Sequence, residues 1–272
     1  MKSLIDITDL TRQEILNIWA RADQQPAPFA NNTVNVAWSF EGNGIRTRTT
    51  FVQSFQSLDA SYVELPNLLK TQESVIDLAG YLDPFYDLYV IRDRQHDRLQ
   101  AFAEASTRPV INAMSSLAHP CEVLTDAAYL AHRFGNLENL RILLVGPLTN
   151  VFRSWHALAA VFGCTVTHAC PKDYQDSHSA VRYLESITGT YDVVITDAWP
   201  EAFNDRAYQL TPQRLADLGN PVLLPTPPVS VGRELAEPLS GYPTFAGYQQ
   251  KAWLLPVQRA IISQMIEAAP SA

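Results

Sequence analysis

The stretch that decides the fold of this chain is Phe40-Glu41-Gly42-Asn43-Gly44-Ile45-Arg46-Thr47-Arg48-Thr49-Thr50-Phe51. An apolar strand ends at Phe40, two glycines free the turn, and a helix begins with Arg46 and Arg48 in its first turn. Basic side chains oppose the positive end of a helix, so they cost stability unless an anion lies between the backbone N–H groups and the guanidinium groups. The pattern therefore favours a phosphate or carboxylate site over the alternative, a purely structural turn.

Outward from this stretch, strand-like and helix-like segments alternate. The patterns predict strands at 33–40, 61–65, 88–92, 141–146, 165–169 and 191–197, and helices at 11–23, 47–58, 73–82, 120–134, 154–162 and 253–268. This alternation predicts an α/β protein with two α/β domains, each with a central parallel sheet, joined by interdomain helices. We place the domains at 1–134 and 135–252, with the helix 253–268 packing back onto the first.

Composition and motifs exclude several classes of protein. With 20 basic and 28 acidic side chains, the 272-residue chain has a net charge of −8 and lacks the basic face that nucleic-acid binding needs. No window approaches the run of about 18 apolar residues of a spanning helix, and Asp6 and Asp9 fall where a signal peptide is apolar. Thr47 occupies the place of the third glycine of GxGxxG. We therefore expect a cytoplasmic protein with no nucleic-acid partner, no membrane partner and no dinucleotide loop.

The cysteines raise the question of a metal site. Cys121, Cys164 and Cys170 are too few and odd in number for a disulfide framework, which fits a reducing compartment. Cys164, His168 and Cys170 could also be read as metal ligands. Strand alternation, however, puts Val166, His168 and Cys170 on one face at ordinary spacing, whereas structural zinc sites use four ligands in tighter pairs. We therefore expect neither a metal nor a cofactor.

A second informative stretch is Ala118-His119-Pro120-Cys121-Glu122-Val123-Leu124-Thr125-Asp126. His119 stands just before a helix that has Pro120 in its first turn. A histidine in that position can donate a hydrogen bond to a carbonyl oxygen of a ligand. The alternative interpretation is a histidine that only caps the helix.

Together these two stretches resemble the aspartate/ornithine carbamoyltransferase family. That family carries Phe-Glu-x-x-Ser-Thr-Arg-Thr-Arg-x-Ser-Phe and His-Pro-x-Gln-x-x-x-Asp. Further matches follow in the same order along the chain, at Glu73-Ser74 with Asp77, Ile91-Arg92, Gly146 to Ser154, Thr196-Asp197-Ala198-Trp199 and Pro225-Thr226-Pro227. The resemblance therefore spans almost the whole chain.

The resemblance implies that the first domain binds carbamoyl phosphate and the second binds the amine acceptor. Carried over by position, Arg46 binds the phosphate and stabilises it as it leaves. Thr47, Arg92 and His119 surround the carbonyl oxygen, where charge develops as the amine attacks. The resemblance also implies a homotrimer in which a loop from a neighbouring subunit helps to close each active site.

The sequence departs from the family pattern on the donor side. Gly44 and Ile45 stand where the family has Ser and Thr, so two hydroxyl donors are missing. The lysine of the neighbouring loop is replaced by Thr71 or Gln72, although Lys70 is one step away and is our candidate substitute. Glu122 replaces a glutamine that accepts from the carbamoyl NH₂ group. An added carboxylate beside a phosphate dianion weakens donor binding unless it is neutralised.

On the acceptor side the sequence matches neither well-known branch. Asn150 and Asp197 are our candidates for the α-amino-acid head group, and Pro225 and Thr226 lie in the second acceptor motif. Pro228 stands where the aspartate enzymes have an arginine, and Arg233 is our candidate to replace it. Both ornithine and aspartate are therefore disfavoured, and the acceptor is an unidentified, amino-acid-like amine. The conspicuous aromatic residues either line an acceptor pocket or belong to the core: Trp155, Trp199, Phe203 and Trp253.

Three functional hypotheses follow from these observations. The first is a divergent transcarbamylase that moves the carbamoyl group from carbamoyl phosphate to the amine of this acceptor. The second is a non-catalytic or repurposed relative that serves as a binding or partner subunit, because four donor-site positions have changed. The third is a transferase that uses a different acyl or phosphorylated donor, one whose group suits Glu122.

Overall fold

The computed structural model describes residues 3–29 and 34–269. These residues divide into two compact units by their contacts. One unit contains the described residues up to Ala128 together with those from Trp253 onward, and the other contains Tyr129–Ala252. In the described part of the chain, no helix has both the length and the apolar character needed to cross a bilayer.

The first unit is built on a four-stranded parallel sheet in the order β2-β1-β3-β4. Its strands are β1 (Asn35–Phe40), β2 (Ser61–Glu64), β3 (Leu88–Arg92) and β4 (Val110–Met114). The helices of this part of the chain are α1 (Arg12–Gln24), α2 (Ile45–Ser57), α3 (Val75–Leu82), α4 (His96–Ala105) and α5 (Pro120–Phe134). The middle strands are apolar along most of their length because helices cover both faces of a parallel sheet.

The second unit contains a five-stranded parallel sheet in the order β7-β6-β5-β8-β9. Its strands are β5 (Ile142–Val145), β6 (Val166–Ala169), β7 (Val181–Leu184), β8 (Val193–Asp197) and β9 (Val222–Thr226). The helices are α6 (Asn150–Phe162), α7 (Pro212–Asp217) and α8 (Gly247–Ala252), and the chain then enters α9 (Leu254–Glu267). Two α/β units, each with a central parallel sheet, confirm the predicted fold class.

Helix α9 packs on α1 and α2 of the first unit. Arg21 and Glu267 form a two-pronged ion pair with nitrogen–oxygen distances of 2.7 and 2.6 Å, and the Gln264 amide donates to the carbonyl oxygen of Glu14 at 3.2 Å. One apolar face of α9 is fully buried, including Val257 and Ile261. This burial explains how a helix from the far end of the chain becomes part of the first unit.

The predicted elements differ from the observed ones mainly at their ends. Helix α2 begins two residues before its predicted start, and α6 begins four residues before. The predicted strand 33–40 is observed from Asn35, and Thr33 lies outside the described residues. The strands β4, β7 and β9 and the helices α4, α7 and α8 were not predicted. The strands β4, β7 and β9 have only four or five residues each, and apolar runs this short do not show a periodicity that identifies a strand.

Each sheet reverses its strand order at one point. In the first unit the chain passes from β1 to β2 on one side and then crosses to β3 on the other, so the carboxyl ends of β1 and β3 flank the reversal. In the second unit the corresponding strands are β5 and β8. Ligands of parallel α/β sheets bind outside the strand ends at such switch points. The topology therefore locates one candidate site in each unit.

The turn after α3 depends on a buried carboxylate. Asp83 accepts from the hydroxyls of Tyr89 (3.0 Å), Ser106 (2.8 Å) and Thr107 (2.7 Å), and from the Thr107 N–H group (2.6 Å). Burial raises the pKa of Asp83, but these hydrogen bonds outweigh it and keep the pKa below its ordinary value. A lowered pKa means that this carboxylate stabilises the fold above about pH 4 and loses that effect as the pH falls further.

We expect Asp83→Ala to lower the free energy of unfolding by about 3 kcal/mol at pH 7, because two buried hydroxyls lose their acceptor. Chemical denaturation at pH 7 and pH 3 checks this, and the difference between wild type and variant shrinks at the lower pH. Asp217→Ala is the matched control: the exposed Asp217 accepts from Gln213 one helical turn away, so its loss changes stability by less than about 0.5 kcal/mol. Equal effects of the two variants would contradict the assignment.

Candidate functional site

The site in the first unit is built around the N-terminus of α2. Gly44 is the N-cap residue of this helix. Because glycine has no side chain, the cap provides no side-chain acceptor for the N–H groups of the first turn. A Cβ added at Gly44 would overlap the Phe40 ring and lie 3.1 Å from Cζ of Arg92. The serine of the family pattern would therefore not fit here, because Phe40 and Arg92 fill its space. Backbone N–H groups remain as anion ligands at this helix end.

Arg92, the last residue of β3, is a partly buried cation beside that helix end. Its Nη1 donates to the Thr47 hydroxyl at 3.4 Å, and its guanidinium lies 5.2 Å from the centre of the Phe40 ring. Its Nε is buried and has no hydrogen-bond partner among the described residues. Burial lowers the pKa of Arg92, and the positive charges of Arg46 and Arg94 lower it further. The arrangement is an excess of positive charge at a switch point, which an anion would relieve.

The two arginines in the first turn of α2 have different surroundings. Arg48 Nη1 lies 2.7 Å from a carboxylate oxygen of Glu64 on β2, and its guanidinium lies 4.8 Å from the centre of the Phe40 ring. Arg48 is therefore a structural ion-pair partner. Arg46 is exposed, and its charge acts on Arg92. Of the two, Arg46 is the one whose charge adds to that of Arg92.

His119 and Glu122 lie at the start of α5, after the turn that follows β4. Asn112 fixes this turn: its amide nitrogen donates to the carbonyl oxygen of Ile5 at 2.9 Å and to the Ser115 hydroxyl at 3.1 Å. Because β4 pairs with β3, this turn follows the strand next to Arg92. His119 and Glu122 are both buried, with 8% and 5% of their surface exposed. The structure thus brings them to the same edge of the sheet as Thr47 and Arg92.

Two carboxylates follow the same pair of strands. Glu41 comes directly after β1 and Asp93 directly after β3, and Lys70 contacts both, with Nζ 2.8 Å from Asp93 Oδ1 and 3.5 Å from Glu41 Oε1. Although Asp93 opens a run of charged residues, its side chain is only 2% exposed. Its place after a parallel strand was the signal that could have identified it.

The site in the second unit is built around Asp197, the last residue of β8. Asp197 Oδ1 accepts from the Ala198 N–H group at 2.8 Å, and the Thr149 hydroxyl donates to the same carboxylate. Thr149 also caps α6 by accepting from the Phe152 N–H group at 3.3 Å. Burial raises the pKa of Asp197 to about 6, against these hydrogen bonds. A carboxylate so placed is a candidate partner for a cationic amine.

Trp199 forms one wall of this region. A Cβ added at Gly146, after β5, would lie 2.5 Å from the Trp199 indole Nε1, so only glycine allows this approach. That Nε1 is buried and has no hydrogen-bond partner among the residues described. Trp199 and Phe203 pack in the hydrophobic core of the unit, and Trp155 is buried too. The core interpretation of these three aromatic residues is thus confirmed, although the indole N–H groups of Trp155 and Trp199 are both buried without a hydrogen-bond partner among the described residues.

The remaining candidate acceptor residues lie at neighbouring strand ends. Thr226 is the register partner of Asp197, and Pro225 is the partner of Thr196 one position earlier. Asn150 begins α6 beside Thr149. Arg233 binds backbone groups of its own unit. Its Nη2 donates to the carbonyl oxygens of three residues at 2.8–3.3 Å, namely Trp199, Pro200 and Phe203. The guanidinium thus supports the turn after β8.

Glu234 is a residue that sequence reasoning missed. It is 1% exposed, and its two oxygens accept from the N–H groups of Trp199 at 2.6 Å and Ser230 at 2.7 Å. It therefore fixes the backbone of Trp199 to the loop after β9. A buried glutamate inside a segment rich in Pro, Ser and Gly is the pattern that could have indicated such an anchor.

The histidines of the second unit form a buried pair. His168 Nε2 donates to the carbonyl oxygen of Gly146 at 2.8 Å, and His156 Nε2 lies 3.2 Å from His168 Nδ1. Burial lowers the pKa of His156 to about 3 and that of His168 to about 4. Both are neutral at pH 7, and His168 supports the Gly146 turn. Within the described ranges, no three His, Cys, Asp or Glu side chains are arranged to hold a metal ion.

Sequence comparison gives two kinds of match. The profile of a family described as "Aspartate/ornithine carbamoyltransferase, carbamoyl-P binding domain" matches residues 2–132. The chain is 30% identical over 223 residues to an ornithine carbamoyltransferase of Shewanella oneidensis, covering 73% of this chain and 74% of that protein. It is 28% identical over 297 residues to an ornithine carbamoyltransferase of Trichormus variabilis, covering 98% and 96% of the two chains.

Structural comparison finds the same kind of protein. The crystal structure of ornithine carbamoyltransferase from Thermus thermophilus matches with a TM-score of 0.90 and 25% identity, covering 98% of this chain and 99% of that one. The ornithine carbamoyltransferase from Pyrococcus furiosus matches with a TM-score of 0.90 and 20% identity over 99% and 98% of the two chains. At 20% identity, the match to the Pyrococcus furiosus structure shows a similar fold.

Proposed function

The chain belongs to the aspartate/ornithine carbamoyltransferase family, a family of transferase enzymes, and on that premise we propose that it transfers the carbamoyl group of carbamoyl phosphate to the amine of an amino-acid-like acceptor. The observation that carries this proposal is the excess of positive charge at the switch point of the first unit. Arg92 is a cation whose pKa is lowered by burial and by Arg46 and Arg94, and its buried Nε has no hydrogen-bond partner among the described residues. Such a site costs stability and is explained by binding a dianion.

The donor-side residues have separate roles in this proposal. Arg46 and the N–H groups at the start of α2 bind the phosphate, and Arg46 stabilises it as the carbon–oxygen bond to the leaving phosphate breaks. Thr47, Arg92 and His119 donate toward the carbamoyl oxygen, which becomes negative as the amine attacks. Glu122 accepts from the carbamoyl NH₂ group. No nucleophilic side chain is needed, because the acceptor amine itself attacks the carbon.

The acceptor-side residues recognise the amino-acid head group. Asp197 pairs with its ammonium, Asn150 and Thr226 flank that group, and Pro225 shapes the adjoining backbone. Arg233 acts by holding the turn after β8 in place through its three carbonyl contacts. Ornithine heads the panel of acceptors to be tested, because it is the substrate named in the relatives. The resemblance also supports a homotrimer, which sedimentation analysis would test.

Calorimetric titration with carbamoyl phosphate tests the donor site directly. We expect wild type to bind it and Arg46→Ala to bind at least about 100-fold more weakly, because a charge-assisted phosphate contact is lost. Arg48→Ala is the matched control from the same helical turn, since its guanidinium pairs with Glu64. This control is expected to bind within about threefold of wild type.

Two outcomes would count against the proposal. Absence of wild-type binding would favour a different donor or a non-catalytic partner subunit, the two alternatives that the changed donor positions raise. Equal losses in Arg46→Ala and Arg48→Ala would show that the general charge of the helix, rather than a specific phosphate contact, accounts for binding.

A further inference from the structure

Two carboxylates lie where the proposed donor site needs positive charge. Glu41 follows β1 and Asp93 follows β3, and these strands flank the switch point of the first unit. Two hydrogen bonds fix Glu41 at the carboxyl end of β3. Its N–H group donates to the carbonyl oxygen of Arg92 at 2.8 Å, and its Oε2 accepts from the Arg94 N–H group at 2.7 Å. Two anions at the strand ends that also carry Arg92 oppose the binding of a phosphate dianion.

Lys70 contacts both of these carboxylates. Its Nζ lies 2.8 Å from Asp93 Oδ1 and 3.5 Å from Glu41 Oε1. Burial lowers the pKa of Lys70, but the contacts with Asp93 and Glu41 outweigh it, so the ammonium remains charged. Asp93 also accepts from the Gln95 N–H group at 2.8 Å, which orients its carboxylate at the start of α4. Lys70 thus contacts both anions directly, while the charge of Arg94 also acts on Glu41.

The segment that carries Lys70 is fixed to its own subunit. Lys70 ends a short 3-10 helix, Leu68–Lys70, whose Leu68 and Leu69 are buried. The Arg98 guanidinium on α4 donates to the carbonyl oxygens of Leu69 at 2.7 Å, Thr71 at 3.1 Å and Glu73 at 2.7 Å. These bonds hold the backbone on either side of Lys70, and Lys70 itself, against the strand end that bears Asp93. All of these residues belong to the first unit.

We propose that Lys70 is a positioning residue for the donor site of its own subunit: its single positive charge offsets part of the negative charge of Glu41 and Asp93, so that the anion experiences the charge of Arg46 and Arg92. This inference rests on the proposed function for the identity of the anion. It differs from our sequence-based expectation that Lys70 completes the site of a neighbouring subunit. It also gives a reason for Lys70 and Asp93 to occur together, because each without the other leaves an unpaired charge at the strand ends.

The test is a double-mutant cycle read by calorimetric titration of carbamoyl phosphate. We expect Lys70→Met to weaken binding by about tenfold or more, since the two carboxylates lose their counter-ion. Adding Asp93→Asn to Lys70→Met restores most of the affinity, because the amide still accepts from the Gln95 N–H group but carries no charge. If Lys70 contacted the phosphate directly, Lys70→Met would weaken binding by the same factor in the Asp93→Asn background as in wild type, whereas our proposal expects a smaller factor there. A double variant as weak as Lys70→Met would overturn the proposal.

Two further measurements keep the inference testable. If Lys70→Met does not fold, Asp93→Asn alone is expected to bind the donor at least as tightly as wild type, and weaker binding would contradict the proposal. Mixtures of co-expressed Lys70→Met and Arg46→Ala subunits are expected to bind carbamoyl phosphate no more tightly than Lys70→Met alone, because Lys70 serves its own chain. Sites of wild-type affinity in such mixtures would assign Lys70 to a neighbour instead.

Failure of this inference is distinguishable from failure of the proposed function. If wild type binds no carbamoyl phosphate, the proposed function fails, and the same variants are then titrated with inorganic phosphate. The expected order of affinity is unchanged, with Lys70→Met weakest and the double variant close to wild type. Any other order would overturn the role of Lys70 whatever the natural anion is.

Discussion

Replacing Arg92 by methionine is expected to lower kcat/KM for carbamoyl phosphate by about 10³-fold while raising the thermal stability of the protein. The loss of activity follows from removing a cation aimed at the reacting carbonyl group. The gain in stability has a separate cause: the fold holds Arg92 partly buried beside Arg46 and Arg94, which lowers its pKa, so the charged form is disfavoured without an anion. Methionine keeps the apolar stem that packs near Phe40. Differential scanning calorimetry is expected to show a rise in Tm of about 2–4 °C.

The matched control for Arg92→Met is Arg48→Met. Both guanidinium groups lie over the same Phe40 ring, at 5.2 and 4.8 Å from its centre, but among the described residues Arg48 is paired with a carboxylate and Arg92 is not. Arg48→Met is expected to keep kcat/KM within about threefold of wild type and to lose up to about 1 kcal/mol of stability. If Arg92→Met lost stability and activity together, Arg92 would be a structural residue and our account of the site would be wrong.

Replacing Asp197 by asparagine is expected to lower kcat/KM for the acceptor by about 100-fold or more at pH 8, with donor binding unchanged. The carboxylate pairs with the acceptor ammonium, whereas the amide carries no charge. Because burial raises the pKa of Asp197 to about 6, the wild-type carboxylate becomes protonated as the pH falls below that value. The ratio of wild type to variant therefore shrinks between pH 8 and pH 5. The titration of the acceptor amine affects kcat/KM of both proteins alike, so it cancels in the ratio of their kcat/KM values.

The stability of Asp197→Asn gives an independent check. Stability is lower at high pH when folding raises the pKa of a carboxyl group, because the folded state disfavours the ionised form. For Asp197 this cost begins above the pKa of the unfolded chain and reaches its full size above the folded pKa of about 6. The variant is therefore expected to be more stable than wild type at pH 7 by about 1–3 kcal/mol, and no more stable below about pH 4.

Asp192→Asn serves as the control for this prediction, because Asp192 forms an ion pair with the half-exposed Arg141. It is expected to leave the kinetic constants unchanged and to lower stability slightly. A ratio of wild type to Asp197→Asn that does not change with pH would contradict the role of Asp197.

Much of the fold could be predicted from the sequence because the signals are local. The turn after Phe40, the start of α5 at Pro120 and the apolar strands around Val90 and Leu143 are each determined by neighbouring residues. Short strands such as β7 lack such signals, and their pairing depends on residues far away in the chain. Sequence patterns therefore could not predict the position of these strands in the sheet.

Some residues of the candidate site could likewise be predicted from the sequence, whereas the contacts of others could not. Arg46, Thr47, Arg92 and His119 follow strand ends or begin helices, and the structure places them at one edge of one sheet. The partners of Lys70 and Arg233 could not be predicted, since each depends on contacts across the fold. Lys70 contacts Asp93, 23 residues away, and Arg233 contacts Trp199, 34 residues away. Charge and residue type indicate that a side chain has a role, whereas its partner is determined by the tertiary structure.

The central claim is that this protein transfers a carbamoyl group, and the most direct test follows the carbon atom itself. Wild-type protein is incubated with ¹³C-labelled carbamoyl phosphate and a panel of amino-acid amines headed by ornithine, and the products are read by mass spectrometry. Our account predicts a ¹³C-carbamoylated amine and one phosphate released per product, with both lost in Arg92→Met and retained in Arg48→Met. Phosphate release without any labelled amine, or equal product from wild type and Arg92→Met, would contradict it.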